Sequence, residues 1–422
     1  MKEDFLHYIW LHKKINVNQL YTTKGEKLEI LHFGHYLQTA GPDFFNAQLI
    51  IDYQKWAGNI EIHLKSSDWY VHHHEKDANY DNVILHVVWE HDVDVYRKDN
   101  TEIPVLELKQ YVASKDILNY TQLTNPKSWI NCENQIGLIE SFVLENWLER
   151  LFLERLETKS ELVFSLLKVS KNDWESVLFC LLAKNFGLNS NGPSFFKMAQ
   201  SIPFQVLRKE MNHQENLEAL FFGLNSLLVL DGEDTYFQLL KAKWNLLKEK
   251  YQLQSNHLEK VHFYKLRPDN FPTIRLSQLA VLYHTIPNLF EKCIRSSNLI
   301  DLYQLFDVNA SVYWNYHYNF DRESSFKKKR ISKSFIDLLI INTIVPIQFA
   351  YSKYLGKDSS EAILDLIRQI KPEKNNMIFK FAYFGVTSKS ALESQSLLQL
   401  KKQYCDVQRC LDCHIGIHLI RK

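Results

Sequence analysis

The chain has 422 residues, of which 45% are hydrophobic and 23% charged, with a formal net charge of +1. That length accommodates two or three domains, and the composition is that of an ordinary globular protein rather than a disordered or collagen-like one. A near-neutral total removes the bulk electrostatic signature of a polyanion-binding protein and leaves only a local basic groove as a route to nucleic acid.

The N-terminal MKEDFLHYIWLHKK carries acids and has no long apolar core, so a signal peptide is not expected. Residues 4–16 predict a short helix with Phe5, Ile9 and Leu20 as core contacts. Four strand-like stretches follow: Leu28–Gly34, Ala47–Asp52, Asn59–Leu64 and Val83–Trp89, short, rich in Ile and Val, and bounded by Gly, Pro, Asn or Asp. The last is nearly continuous in apolar residues, as a buried central strand would be. His72–Tyr80 leaves room for a helical turn, and Ile103–Gln110 for an edge strand. From about residue 138 the period becomes helical, with apolar residues three and four apart and acid–base pairs opposite them. Helices are expected over residues 141–168, 172–187, 215–230, 235–252, 275–293, 335–354, 360–370 and 389–403. The expected class is α+β: an α/β domain over residues 1–120, then a larger all-α domain over 138–422. No apolar run approaches the roughly 20 residues of a membrane span, so no membrane partner is expected. Six unevenly spread cysteines without a secretion signal point to a reduced, cytoplasmic protein.

In GNIEIHLKSSDWYVHHH, Ile60, Ile62 and Leu64 alternate with Glu61, His63 and Lys65, so the strand has one apolar and one ionisable face. Asp43 stands just before the preceding strand, in a turn set by Gly41 and Pro42. If the two strands form a hairpin, Asp43 and Glu61 approach each other. Two carboxylates suit Mg²⁺ or Mn²⁺, hard cations that keep waters. A nearby base can then orient water for attack on a phosphodiester. Gly-Pro-Asp equally suits a plain turn, and Glu61 and His63 equally suit a solvated open face.

A proline-aspartate followed by a strand bearing an acid and, two residues on, a lysine resembles the PD-(D/E)xK restriction-endonuclease-like nucleases. Their helix, three strands, helix, strand order is similar to the order expected over residues 1–110. The resemblance implies metal ligands at Asp43 and Glu61, catalytic roles for His63, which stands where the lysine is expected, and for Lys65 as its substitute, and DNA or RNA as partner. Trp69, His72 and His74 resemble the Trp- and His-rich stretch of the very-short-patch-repair branch. His72 and His74 are assigned supporting or phosphate-contacting roles, while His86, Trp69 and Tyr80 read as packing residues. The chain as a whole also resembles an uncharacterised bacterial family of unknown function, through GPDFFNAQLIID, GNIEIHLKSSDW, YDNVILHVVW, RPDNFPTIR and the Cys-rich end.

YCDVQRCLDCHIG supplies Cys405, Cys410 and Cys413, and Cys132 in INCENQIG is a possible fourth thiolate, together a site for zinc or an iron–sulfur cluster. The alternative is a set of reduced, half-buried thiols. Arg267 and Arg275 in RPDNFPTIR read as structural arginines inside the helical part, with phosphate contact through their guanidinium forks as the alternative, and SSFKKKRISKS reads as a solvated loop, with a phosphate-binding patch as the alternative. Three functions follow as expectations: a metal-dependent nuclease, a non-catalytic nucleic-acid- or protein-binding protein with a degenerate nuclease fold, or a zinc-stabilised scaffold.

Overall fold

A computed structural model describes residues 2–36, 41–123, 128–229, 232–254 and 261–421; residue 230, the last of the expected helix 215–230, lies outside them. The described chain divides into two compact units. The first comprises Met1–Trp147, Tyr383–Val386 and Leu400–Lys422, and the second Leu148–Ala382 and Thr387–Gln399. The sequence groups the Cys-rich stretch with the helical part. Contact density instead groups residues 400–421 with the N-terminal unit, because the apolar face of the terminal helix His414–Arg421 is buried there: Ile420 is only 1% exposed and joins the same core as Phe5 and Tyr120.

The first unit opens with α1 (Glu3–Leu11), shorter than the expected 4–16; Lys13 beyond it has a left-handed φ of 53°. A seven-stranded sheet follows. Its strands are β1 (Leu20–Tyr21), β2 (Lys27–His32), β3 (His35–Tyr36), β4 (Phe44–Ile51), β5 (Gln54–Lys65), β6 (Val83–Glu90) and β7 (Val105–Glu107). The order is β1-β2-β4-β5-β6-β7, with β3 beside β4. β2, β4 and β5 pair antiparallel, whereas β5–β6 and β6–β7 are parallel. The parallel step needs a crossover, and the segment between β5 and β6 supplies it: α2 (Asp68–Val71) and two 3₁₀ turns, His74–Lys76 and Ala78–Tyr80. The expected strand 103–110 keeps only Val105–Glu107 and ends in a 3₁₀ turn.

β5 and β6 are covered on both faces. Ile60, Ile62, Leu85 and Val87 pack with Phe5, Leu6 and Ile9 of α1. On the opposite face Val88 packs with Trp69 of α2. The face carrying Glu61 and His63 is therefore not a wet outer surface: the two residues are 5% and 1% exposed.

The second unit is mostly helical. The expected helix 275–293 is two, Pro272–Thr285 and Leu289–Arg295, interrupted at Pro287 and at Asn288, whose φ is 55°. This part is not wholly α: His317–Asn319 and Arg322–Glu323 form a small hairpin around Asp321, at φ 55°. The helix Lys333–Tyr354 is long and apolar enough to cross a membrane by length and composition, with a mean hydropathy of 1.5, contrary to the expectation from sequence. Scattered polar residues such as Asn342 and Gln348 disguise that run. As much as 61% of its most apolar window is buried inside the protein, as in a core helix. It widens into a π turn at Ile340–Ile344, just before Pro346, which cannot donate a helical hydrogen bond. Lys159 Nζ and Asn185 Nδ2 donate to the carbonyls of Ile341 and Asn342 there.

Candidate functional site

Gly41, at φ 115°, and Pro42 turn the chain into β4 so that Asp43 stands at its mouth. The β4–β5 register slips between Phe44 and Ala47, with Asn46 at φ 56° and its N–H donating to Asn59 Oδ1. Such bulges re-aim side chains. Here the result is a reciprocal clamp: the Asp43 N–H donates to Glu61 Oε2 at 3.2 Å, and the Ile62 N–H donates to Asp43 Oδ2 at 2.9 Å. Each carboxylate thus accepts an N–H from the opposite strand, Glu61 from Asp43 itself and Asp43 from Ile62, the neighbour of Glu61. Burial first, and the charge of Asp43 second, push the Glu61 carboxyl up to about 9.

α1 brings a third group to the pair. His7 Nε2 lies 3.1 Å from Asp43 Oδ2 and 3.8 Å from Glu3 Oε1. Nε2 is buried, and Asp43 is its nearest counter-charge. Burial opposes the His7 charge, but Asp43 outweighs it and holds the imidazole above its ordinary value.

Glu61 and His63 point to one side of β5, and His86 on β6 is the register partner of Glu61. His63 Nδ1 is 2.8 Å from His86 Nε2. His63 Nε2 is 3.1 Å from His72 Nδ1 and 3.5 Å from Glu61 Oε1. Burial first, and the neighbouring imidazoles second, push His63 down to about 2 and His86 down to about 3, so both rings are neutral. His73 explains how His72 and His74 reach the same place. It adopts a left-handed φ of 60° between α2 and the next turn, reversing the chain, and is itself exposed. His74 then stacks on Tyr80 at 3.7 Å between centroids, with Nε2 3.3 Å from Glu61 Oε1. Nitrogens of His63, His72 and His74 all fall within 4.8 Å of one another.

This donor set fits a divalent cation. His7 Nε2 and His74 Nε2 are buried without a hydrogen-bond partner, yet each faces a carboxylate oxygen, at 3.1 and 3.3 Å. Atoms sharing one ion at bonds of ~2.0–2.2 Å sit about 3.0–3.5 Å apart in octahedral or tetrahedral arrangements. The His74–Glu61 and His63–Glu61 spacings, 3.3 and 3.5 Å, fall in that range. Mixed oxygen and imidazole donors suit Mn²⁺, Fe²⁺ or Zn²⁺ better than Mg²⁺, which demands oxygen.

The structure therefore brings Glu61, His63, His72 and His74 together and sets Asp43 against Glu61 through the backbone clamp. Lys65 is exposed, and among the described residues its amine makes no hydrogen bond or ion pair with Asp43 or Glu61; its backbone N–H donates to Asp68. His63, at the lysine position of the motif, is a neutral ring rather than a cation. Glu3, His7 and His86 are members that sequence reasoning missed. Glu3 and His7, four apart on one face of α1, were the available signal.

Cys132, Cys405, Cys410 and Cys413 border one small cavity together with Asn131, Tyr404 and Gly416, and none is in a disulfide. Asn131 Nδ2 donates to Cys410 Sγ at 3.3 Å, and the backbone N–H groups of Ile415 and Gly416 face the Cys413 sulfur. Burial pushes the Cys132 thiol up to about 12 and the Cys413 thiol to about 11. Gly416 is needed where it stands: a Cβ there would overlap the Cys410 carbonyl oxygen.

The chain matches, over residues 3–376, the family described as "Protein of unknown function (DUF2851)", and it belongs to that family. The match contains the whole Asp43–Glu61–histidine cluster and ends before Cys405. No curated protein and no solved structure matches the chain.

Proposed function

We propose that the chain is a metal-dependent nuclease that hydrolyses phosphodiester bonds of DNA or RNA, with Asp43 and Glu61 as the central metal ligands. The observation that carries this reading is the reciprocal clamp between the two residues. It sits at the start of one strand and on the next; five strands, of which β2, β4 and β5 are the long ones, lie between α1 and α2, and β6 follows, an order that resembles the helix, three strands, helix, strand core of the PD-(D/E)xK nucleases. The mixed donor set favours Mn²⁺ over Mg²⁺, with His63 and His74 as nitrogen ligands beside the carboxylates. A bound divalent cation supplies Lewis acidity and lowers the pKa of coordinated water. The chain's own residues do the rest. His86 orients His63 through the 2.8 Å ring–ring contact. His7, held 3.1 Å from Asp43 and with its pKa raised there, stands where the positive charge of the motif's lysine is needed. His72, on the exposed side of the cluster, is the group best placed to meet a phosphate.

Purified protein is titrated with Mn²⁺ and with Mg²⁺ by calorimetry, then assayed for cleavage of single- and double-stranded DNA and of RNA. Asp43→Ala and Glu61→Ala serve as controls. Mn²⁺ binding and cleavage that both variants lose support the reading; no Mn²⁺ binding, with both variants indistinguishable from wild type, removes it. A second reading has its own support: a neutral His63 at the lysine position and an exposed Lys65 fit a non-catalytic binding protein with a degenerate nuclease fold. Tight Mn²⁺ binding without cleavage of any nucleic acid would favour it.

We further propose that Cys132, Cys405, Cys410 and Cys413 hold a structural metal, zinc or an iron–sulfur cluster, that ties residues 400–421 to the first unit. Four thiols around one small cavity, with N–H groups aimed at two of the sulfurs, support it. Metal analysis and the visible absorption spectrum of wild type and Cys410→Ser distinguish zinc, iron and neither.

A further inference from the structure

Two stretches that read from sequence as structural or solvent-facing, Arg267–Arg275 and Phe326–Ser334, meet in the second unit around a pocket of roughly 360 Å³. Six cations border it: Arg267, Arg275, Lys327, Lys328, Lys329 and Arg330. Two have carboxylate partners, Lys327 with Asp269 at 2.7 Å and Arg330 with Asp307. The other four make no ion pair among the described residues.

Two of those four are buried. Arg275 is 6% exposed and Lys329 2%. Arg275 Nη1 donates to Gln278 Oε1 at 2.9 Å and Nη2 to Asn270 Oδ1 at 2.6 Å, while the guanidinium lies 3.6 Å over the Phe335 ring. Its Nε is buried with no acceptor. Lys329 Nζ donates to the Asn315 carbonyl at 3.0 Å and sits 4.2 Å over the Tyr318 ring. Every one of these partners is neutral. They fix the direction of each cation without cancelling its charge. Buried charges in proteins are ordinarily paired; here Asp269 is the one carboxylate among the described lining residues, it is bonded to Lys327, and its charge is shared with Arg275 and Lys329. An anion from outside completes the pair.

We infer that this pocket binds a phosphate ester. A guanidinium fork held in plane matches phosphate oxygens two at a time, and lysines add point charges around it. Six cations against one lining carboxylate leave a positive excess that suits a multiply charged phosphate rather than a single carboxylate. The phosphate comes either from a nucleotide or from a nucleic acid strand. The inference stands on the second unit alone and does not rest on the reading of Asp43 and Glu61.

The test uses the full chain and three probes in calorimetry: inorganic pyrophosphate, a nucleoside triphosphate, and a 20-nucleotide single strand without terminal phosphate. The exposed pair Arg267→Ala/Lys328→Ala leaves the packed residues untouched and is expected to weaken binding at least tenfold. Arg275→Gln is expected to do the same, and its circular dichroism reports whether it folds. Binding should fall steeply with salt. Triphosphate and pyrophosphate binding lost in the double variant identifies a nucleotide phosphate; strand binding lost in the double variant identifies a nucleic acid backbone. Either supports the inference. No binding of any probe at millimolar concentration, or binding that the double variant leaves unchanged, overturns it.

Discussion

Glu61→Gln should stabilise the metal-stripped protein while abolishing its response to Mn²⁺. In the folded chain the Glu61 carboxyl is pushed up to about 9 from an ordinary 4.5, by burial and by Asp43. Between those values the folded state holds a proton that the unfolded state has released, so Glu61 makes stability fall as pH rises through that window. At pH 7 about 2.5 pH units separate the solution from the unfolded value, and at ~1.4 kcal/mol each the carboxyl costs up to about 3 kcal/mol. Glutamine is neutral at every pH and keeps the clamp, because its carbonyl still accepts the Asp43 N–H. The assay is urea unfolding followed by tryptophan fluorescence, in EDTA, at pH 5, 7 and 8.5. Glu61→Gln should match wild type near pH 5, gain about 2–3 kcal/mol at pH 7 and gain more at pH 8.5. With saturating Mn²⁺ the wild type should gain stability through binding to the folded state alone, and the variant should not. A variant less stable than wild type at every pH, or a gain that does not grow with pH, refutes the reasoning.

His86→Leu removes the partner of His63 Nδ1 and should cost about 1–3 kcal/mol, the penalty of a buried unsatisfied group; an unfolding midpoint equal to wild type would show the ring pair to be unimportant. Gly416→Ala should detach the terminal helix, because the new methyl overlaps the Cys410 carbonyl; hydrogen exchange across residues 414–421 should rise sharply, and unchanged protection would contradict the packing described. Lys65→Ala should change stability by no more than about 0.5 kcal/mol, as exposed substitutions do, and leave Mn²⁺ affinity intact; a tenfold loss of Mn²⁺-dependent cleavage would make Lys65 the missing cation.

The strands of the first unit were legible because period-2 alternation and Gly/Pro/Asn boundaries are local signals. Asp43 and Glu61 were legible as a pair because a hairpin brings neighbouring strands together whatever the details. What lay beyond reach depended on tertiary placement. The Glu61–His63 face looked open because alternation cannot say what covers a sheet, and Trp69 with α2 covers it. His7 could not be assigned because α1 reaches the strand mouth only after the chain has folded back over about 36 residues. The His72–His74 arrangement hinged on one left-handed residue, His73, that no propensity marks. Arg275 and Lys329 read as ordinary because the sequence shows cations without showing that their partners are neutral. The Pro287–Asn288 break was visible as a turn signal inside an otherwise periodic run.

The chain leaves the first unit at Trp147, returns to it briefly at Tyr383–Val386 and for its final stretch at Leu400, with Ile420 seated in the same core as Phe5 and Tyr120. This order has a consequence in time. At a synthesis rate of ~5–20 residues per second, the roughly 250 intervening residues occupy the ribosome for about 10–50 s. Throughout that interval the apolar bed awaiting Ile420 stays uncovered. The intervening helical unit meets no such delay, since its own residues are nearly contiguous. A message truncated after residue 399 would therefore release a product whose helical unit is complete and whose first unit keeps an open, sticky seam. Protein quality control could recognise that seam as the mark of an unfinished copy.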